Sequence, residues 1–109
     1  MTTISTHVLD TSLGKPGEGI RVTLELDGAT IGSGVTDGDG RVRDLVPEGT
    51  PLGEGVYRLT FFVDEYFATA GRDSFYSDIV VNFRIGAGSA HYHVPLLLNP
   101  FGYSTYRGS

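Results

Sequence analysis

Sixteen glycines, most of them gathered in turn-like clusters, cut this chain into short extended runs, and that punctuation limits its fold more than any other feature. Between the clusters, apolar and polar residues alternate. In "IRVTLELDG", Ile20, Val22, Leu24 and Leu26 fall on one face, with Arg21, Thr23 and Glu25 on the other. A period of two is the pattern of a strand with one face buried. Asp27-Gly28 favours a tight hairpin turn, and "TIGSGVT" reads as the returning strand. "VYRLTFFVD" alternates again, setting Val56, Arg58, Thr60 and Phe62 opposite Tyr57, Leu59, Phe61 and Val63. "THVLD" reads as a first short strand, "RVRDL" as another after the turn "DGDG", and "YSTY" as the last. "DIVVNFRI" and "HYHVPLLL" flank the turn "GAGSA", while "TSLGKPGEG" and "VPEGTPLGEG" read as loops. One helix is predicted over "DEYFATAG", with Asp64 as its cap and Gly71 as its terminator.

Eight short strands with turns every ~8–12 residues predict an all-β antiparallel sandwich. The 109 residues suffice for one domain, residues 1–109, with no linker, repeat or low-complexity tract. So small a domain buries only part of its apolar surface, so association would add to its stability. Having no cysteine, the chain has no disulfide framework, no cysteine zinc site and no thiolate nucleophile. "MTTISTHVLD" lacks the basic and apolar regions of a signal peptide, and no apolar run approaches the ~20 residues of a membrane span, so a cytoplasmic location is expected. The net charge is −5, Lys15 is the only lysine, and the arginines are scattered. Neither nucleic acid nor an anionic membrane is an expected partner.

Three histidines are few enough to weigh singly. His91 and His93, at i and i+2 of a strand, point to the same face. They read either as an exposed polar face or, with a third ligand from elsewhere, as part of a zinc site. His7, between Thr6 and Val8, is either a structural strand histidine or a functional one. Arg41 follows "DGDG" and is either a surface charge or an anchor for a carboxylate or enolate-like oxygen. "DGDG" itself lacks the later ligands and closing Glu of a calcium loop. No nucleophile elbow, phosphate-binding loop or H-E-x-x-H is present.

The ending "YSTYRGS", the preceding "HYHVPLLL" and the opening "THVLDTSLGKPG" together resemble the transthyretin-related family, and within it the 5-hydroxyisourate hydrolase branch of purine catabolism. "VTDGDGRVRDL" and "EGVYRLTFFVDEYF" extend the resemblance over nearly the whole chain. Its most specific element is Tyr106-Arg107-Gly108-Ser109, which the hormone-carrying transthyretins lack. The resemblance implies a sandwich of two four-stranded sheets with one short helix, and a homotetramer built as a dimer of dimers by edge-to-edge strand pairing. It implies hydrolysis of 5-hydroxyisourate, a strained bicyclic urate derivative, at an amide of its six-membered ring, with neither metal nor cofactor. Carried over residue by residue, the implied catalytic groups are His7, Arg41, His93 and Ser109. His91, Tyr106, Arg107 and Gly108 become the implied substrate-binding groups. Two departures are Asn99, where the family has serine before the proline, and the short loop "GAGSA". A non-catalytic small-ligand carrier and a purely structural sandwich are the competing expectations.

Overall fold

Two faces of alternating apolar residues close on each other in a computed structural model that describes all of residues 1–109. The first sheet joins β1 (Thr3–Asp10), β2 (Lys15–Pro16), β7 (His91–Asn99) and β8 (Gly102–Thr105) in the order β2-β1-β7-β8. The second joins β3 (Arg21–Leu26), β4 (Ala29–Val35), β5 (Gly55–Phe61) and β6 (Ile79–Ile85) in the order β4-β3-β5-β6. The helix α1 (Val63–Thr69) follows β5. Two four-stranded sheets and one short helix are thus present as expected.

The alternation maps onto the core directly. Ile20, Val22 and Leu24 from the second sheet, with Tyr57, Leu59 and Phe61, bury against Val8, Leu96 and Leu98 of the first. Burying side chains of this size contributes about 1.5–3 kcal/mol each. Every strand pair is antiparallel except β1 with β7, which run parallel from Thr3↔His91 to Asp10↔Leu98. That ladder joins two distant segments and sets their outward residues side by side. No helix is long and apolar enough to cross a membrane.

Three local expectations are corrected. "RVRDL" is not a strand: Arg41 makes only an isolated bridge to His7, and Asp44 adopts a left-handed φ of 56°. Val42 and Leu45 bury into the core across that bend, so packing outweighs the extended preference. Lys15–Pro16, inside a predicted loop, forms a two-residue edge strand against Leu9 and Asp10, a place where proline's missing N–H costs nothing. The helix begins one residue earlier than predicted, at Val63, without a side-chain cap; the Asp64 N–H donates to the Ser77 carbonyl instead. Buried Val63 and Phe67, one turn apart, hold it to the core. Its end is as predicted. Gly71 has a φ of 67°, and the Gly71 and Arg72 N–H groups donate to the Ala68 and Phe67 carbonyls, closing the last turn.

Candidate active site

The outward face of the first sheet is built by period two. Thr3, Ser5 and His7 alternate along β1 with inward Ile4, Thr6 and Val8, and on β7 His91, His93 and Pro95 alternate with Tyr92, Val94 and Leu96. The parallel register places Thr3 beside His91, Ser5 beside His93 and His7 beside Pro95. All three histidines therefore share one face. The His91 and His93 rings lie nearly parallel, with centroids 6.5 Å apart.

Arg41 reaches this face because the turn before it is tied down. Asp37 Oδ1 accepts from the Asp39 and Arg41 N–H groups at 2.9 and 3.1 Å, and Oδ2 accepts from Arg43 Nε at 3.0 Å. The Arg41 N–H leads the interactions that hold the Asp37 carboxyl below its ordinary value. The first carboxylate of "DGDG" is thus spent on its own turn and on Arg43. Gly40, with a φ of 78°, accepts from the Val8 N–H at 2.8 Å and brings Arg41 into a bridge with His7. A Cβ on Gly40 would collide with the Val8 carbonyl oxygen. Gly40→Ala is therefore expected to lose about 1–3 kcal/mol of stability, read by chemical denaturation, and to lose activity with it.

His7 Nε2 lies 2.8 Å from the Asp39 carbonyl oxygen. A carbonyl only accepts, so Nε2 carries the proton and, in the neutral ring, Nδ1 keeps a lone pair. His93 is half-buried. Burial first, then the charges of Arg41, His7 and His91, hold its pKa below the ordinary histidine value. Its ring is held by Ser5 Oγ at 2.7 Å from Nδ1. No three His, Asp or Glu side chains come together as a metal-binding group, and the His91 nitrogens meet Thr3 and Ser5 hydroxyls.

The chain's last residues divide. The Gly108 N–H donates to the His93 carbonyl at 2.8 Å, and a Cβ there would stand 2.5 Å from His93 Cδ2. Glycine lets the tail lie flat against the ring. Gly108→Ala is expected to displace either the tail or the imidazole, lowering turnover far more than the denaturation midpoint. Ser109 follows, exposed. Arg107 instead stacks its guanidinium 4.5 Å above the Tyr92 ring, on the opposite side of β7 from His93. With Tyr106 it lines a largely apolar cavity of about 270 Å³ beside Val81, Phe83 and Val94. Within one chain, His7, Arg41, His91, His93 and Gly108 are gathered, and the Tyr106 and Arg107 side chains are not. The chain's principal cavities are lined by other residues than His7, Arg41 and His93, whose face is open. Thr3 and Ser5 were not singled out from the sequence. Their signal was present all the same, as hydroxyls at i and i+2 preceding His7 in the same alternation.

Known proteins share the sequence family and the fold. The family model described as HIUase/Transthyretin family matches residues 4–108. The 5-hydroxyisourate hydrolase of Salmonella dublin is 46% identical over 97% of this chain and 80% of its own length. The solved structure of Klebsiella pneumoniae 5-hydroxyisourate hydrolase covers both chains completely, at a TM-score of 0.89 and 43% identity. Sea bream transthyretin in complex with thyroxine shares the fold at a TM-score of 0.89, with 29% identity over 96% of this chain and 93% of that one.

Proposed function

The chain belongs to the HIUase/transthyretin family, and from that membership we propose that residues 1–109 form one domain hydrolysing 5-hydroxyisourate to 2-oxo-4-hydroxy-4-carboxy-5-ureidoimidazoline. The observation that carries this reading is the meeting of His7, Arg41 and His93, from three distant segments, on one polar face. A binding channel for an apolar hormone has little use for two imidazoles and a guanidinium together.

Water is a poor nucleophile at neutral pH, so the reaction needs a positioned base. His93, with its depressed pKa, is neutral there and takes that part. The free Nδ1 of His7 holds the water beside it. Arg41 offers a planar set of donors to the substrate's oxygens and steadies negative charge as it develops. Ser109 orients the leaving nitrogen, while His91, Tyr106, Arg107 and Gly108 complete the substrate's surroundings.

An open face does not exclude water from a reaction, and a homotetramer closes it. β6 and β8 each leave one edge of their ladder unpaired. Phe75 and Phe101, 74% and 68% exposed, lie near these edges with Tyr76 and Tyr103. Phe75, Tyr76 and Tyr103 stack edge-to-face. Pairing such edges makes a dimer, and two dimers meeting through their histidine faces enclose the site, with neighbouring tails supplying Tyr106 and Arg107.

The test is a spectrophotometric assay on freshly generated 5-hydroxyisourate, scored only above its spontaneous decay, with the mass in solution measured on the same sample. Turnover above background and a particle of roughly four times the 11.7 kDa chain are expected. Saturable binding of an aromatic ligand without turnover would replace the hydrolase with a carrier.

A further inference from the structure

One hydroxyl is shared by two imidazoles. Ser5 Oγ lies 2.7 Å from His93 Nδ1 and 2.9 Å from His91 Nε2, and Thr3 Oγ1 lies 2.5 Å from His91 Nδ1. The four side chains form an unbroken line from half-buried His93 to exposed Thr3. The parallel register of β1 on β7 sets Thr3 opposite His91 and Ser5 opposite His93, so the line follows from the ladder itself.

A hydroxyl has a single proton to give and lone pairs with which to accept. Ser5 can therefore donate to only one of its two histidines, and must accept from the other when both rings are neutral. That leaves two polarities. In the first, His93 Nδ1–H donates to Ser5, Ser5 donates to His91 Nε2, and His91 Nδ1–H donates to Thr3; His93 Nε2 then bears a lone pair. In the second every donor and acceptor is exchanged, and His93 Nε2 bears a hydrogen.

We propose that Ser5 is a positioning residue that links His91 to His93 and, by relaying one proton between them, converts His93 Nε2 from proton acceptor to proton donor. The proposal rests on the hydrolase reading above. As Nε2 takes a proton from the attacking water, the His93 Nδ1 proton passes to Ser5 and the Ser5 proton to His91 Nε2. The His91 Nδ1 proton leaves through Thr3 to solvent. Hydroxide remains to bond to the substrate carbonyl, and His93, still neutral, now holds a hydrogen on Nε2. That hydrogen goes to the leaving nitrogen as the carbon–nitrogen bond breaks, and the line reverses, drawing one proton back from solvent. The proton count closes, and at no point must an imidazolium persist beside Arg41.

The test combines kinetics with nitrogen-15 NMR of the histidine rings in the whole protein without substrate. In the wild type, protonating His91 is expected to drive the His93 ring to the tautomer with its hydrogen on Nε2, a relocation of hydrogen that the through-space charge of His91 does not by itself produce. Ser5→Ala should break that response and lower kcat about tenfold at unchanged KM, the scale of one lost hydrogen bond. Ser5→Thr, which keeps the hydroxyl, should restore both. His91→Phe keeps a flat ring without nitrogens and should lower kcat by a similar factor. An unchanged kcat in Ser5→Ala or His91→Phe, a loss confined to KM, or a His93 tautomer that still follows His91 in Ser5→Ala would overturn the proposal. If the wild type shows no hydrolysis above background, the hydrolase reading fails. The NMR comparison then judges the Ser5 linkage alone, and coupling absent from the wild type refutes it.

Discussion

Replacing His93 with alanine is expected to slow 5-hydroxyisourate hydrolysis by about 10²–10⁴-fold, the usual contribution of a positioned general base and about 3–5 kcal/mol in the barrier. The folded protein should survive the change, because the ring lies half-buried on the outward face rather than in the core. The sign of the pH dependence follows from its surroundings. Burial and the charges of Arg41, His7 and His91 disfavour the protonated ring, so its pKa lies below the ordinary ~6.5. The neutral, active form then persists through neutral pH, and kcat/KM falls only as the solution becomes acid enough to protonate it. Arg41→Gln removes one of those positive neighbours. The His93 pKa, followed by NMR titration, should rise towards the ordinary value, and the acid limb of any residual activity should move to higher pH. Wild-type rates in His93→Ala, at equal fold and assembly, would remove the base from the mechanism.

The second large effect concerns stability. Asp10, the last residue of β1, is fully buried, yet every acceptor site it offers is used. Arg72 Nη1 and the Tyr66 hydroxyl donate to Oδ2 at 2.8 and 2.7 Å. The Ser12 hydroxyl, with the Ser12 and Leu13 N–H groups, donates to Oδ1 at 2.7, 3.2 and 3.2 Å. One carboxylate thus fastens the first sheet to helix α1 and to the residue that closes it. Removing this carboxylate costs about 3–5 kcal/mol, because the Arg72 guanidinium, 21% exposed, and the Tyr66 hydroxyl both lose their acceptor. Asp10→Ala is expected to lose that much by denaturant unfolding at fixed protein concentration. Although burial opposes ionisation, Arg72 and the other donors outweigh it and hold the Asp10 carboxyl far below its ordinary value. The same cluster pushes the Tyr66 hydroxyl up to about 12, through burial and its bond to Asp10. A depressed carboxyl contributes stability above the unfolded value near 3.9 and loses it as pH falls further. Wild-type stability should therefore decline below about pH 4, and the variant's should decline less steeply there. Parallel acid profiles would show that Asp10 is not the group responsible.

Much of the fold was legible because its causes are local. The alternation of Ile20, Val22 and Leu24 needs no partner to name the buried face, and Gly71 announces a helix end by its own freedom at positive φ. The same period of two put His91 and His93 on a common face, and family resemblance pointed to His7 and Arg41. What local pattern misjudged was decided by neighbours distant in sequence. "RVRDL" has the letters of a strand, but the burial of Val42 and Leu45 across a bend at Asp44 took precedence. Lys15–Pro16 became a strand only because β1 offered it an edge.

The bond between Asp10 and Arg72 spans 62 positions, and that between Ser5 and His93 spans 88. The residues alone settled which faces were wet and which dry, since alternation and turn chemistry act within a few residues. The tertiary structure alone settled which wet residues meet. Strand register joins segments across the chain, and a slip by a single position would turn Ser5 away from both histidines.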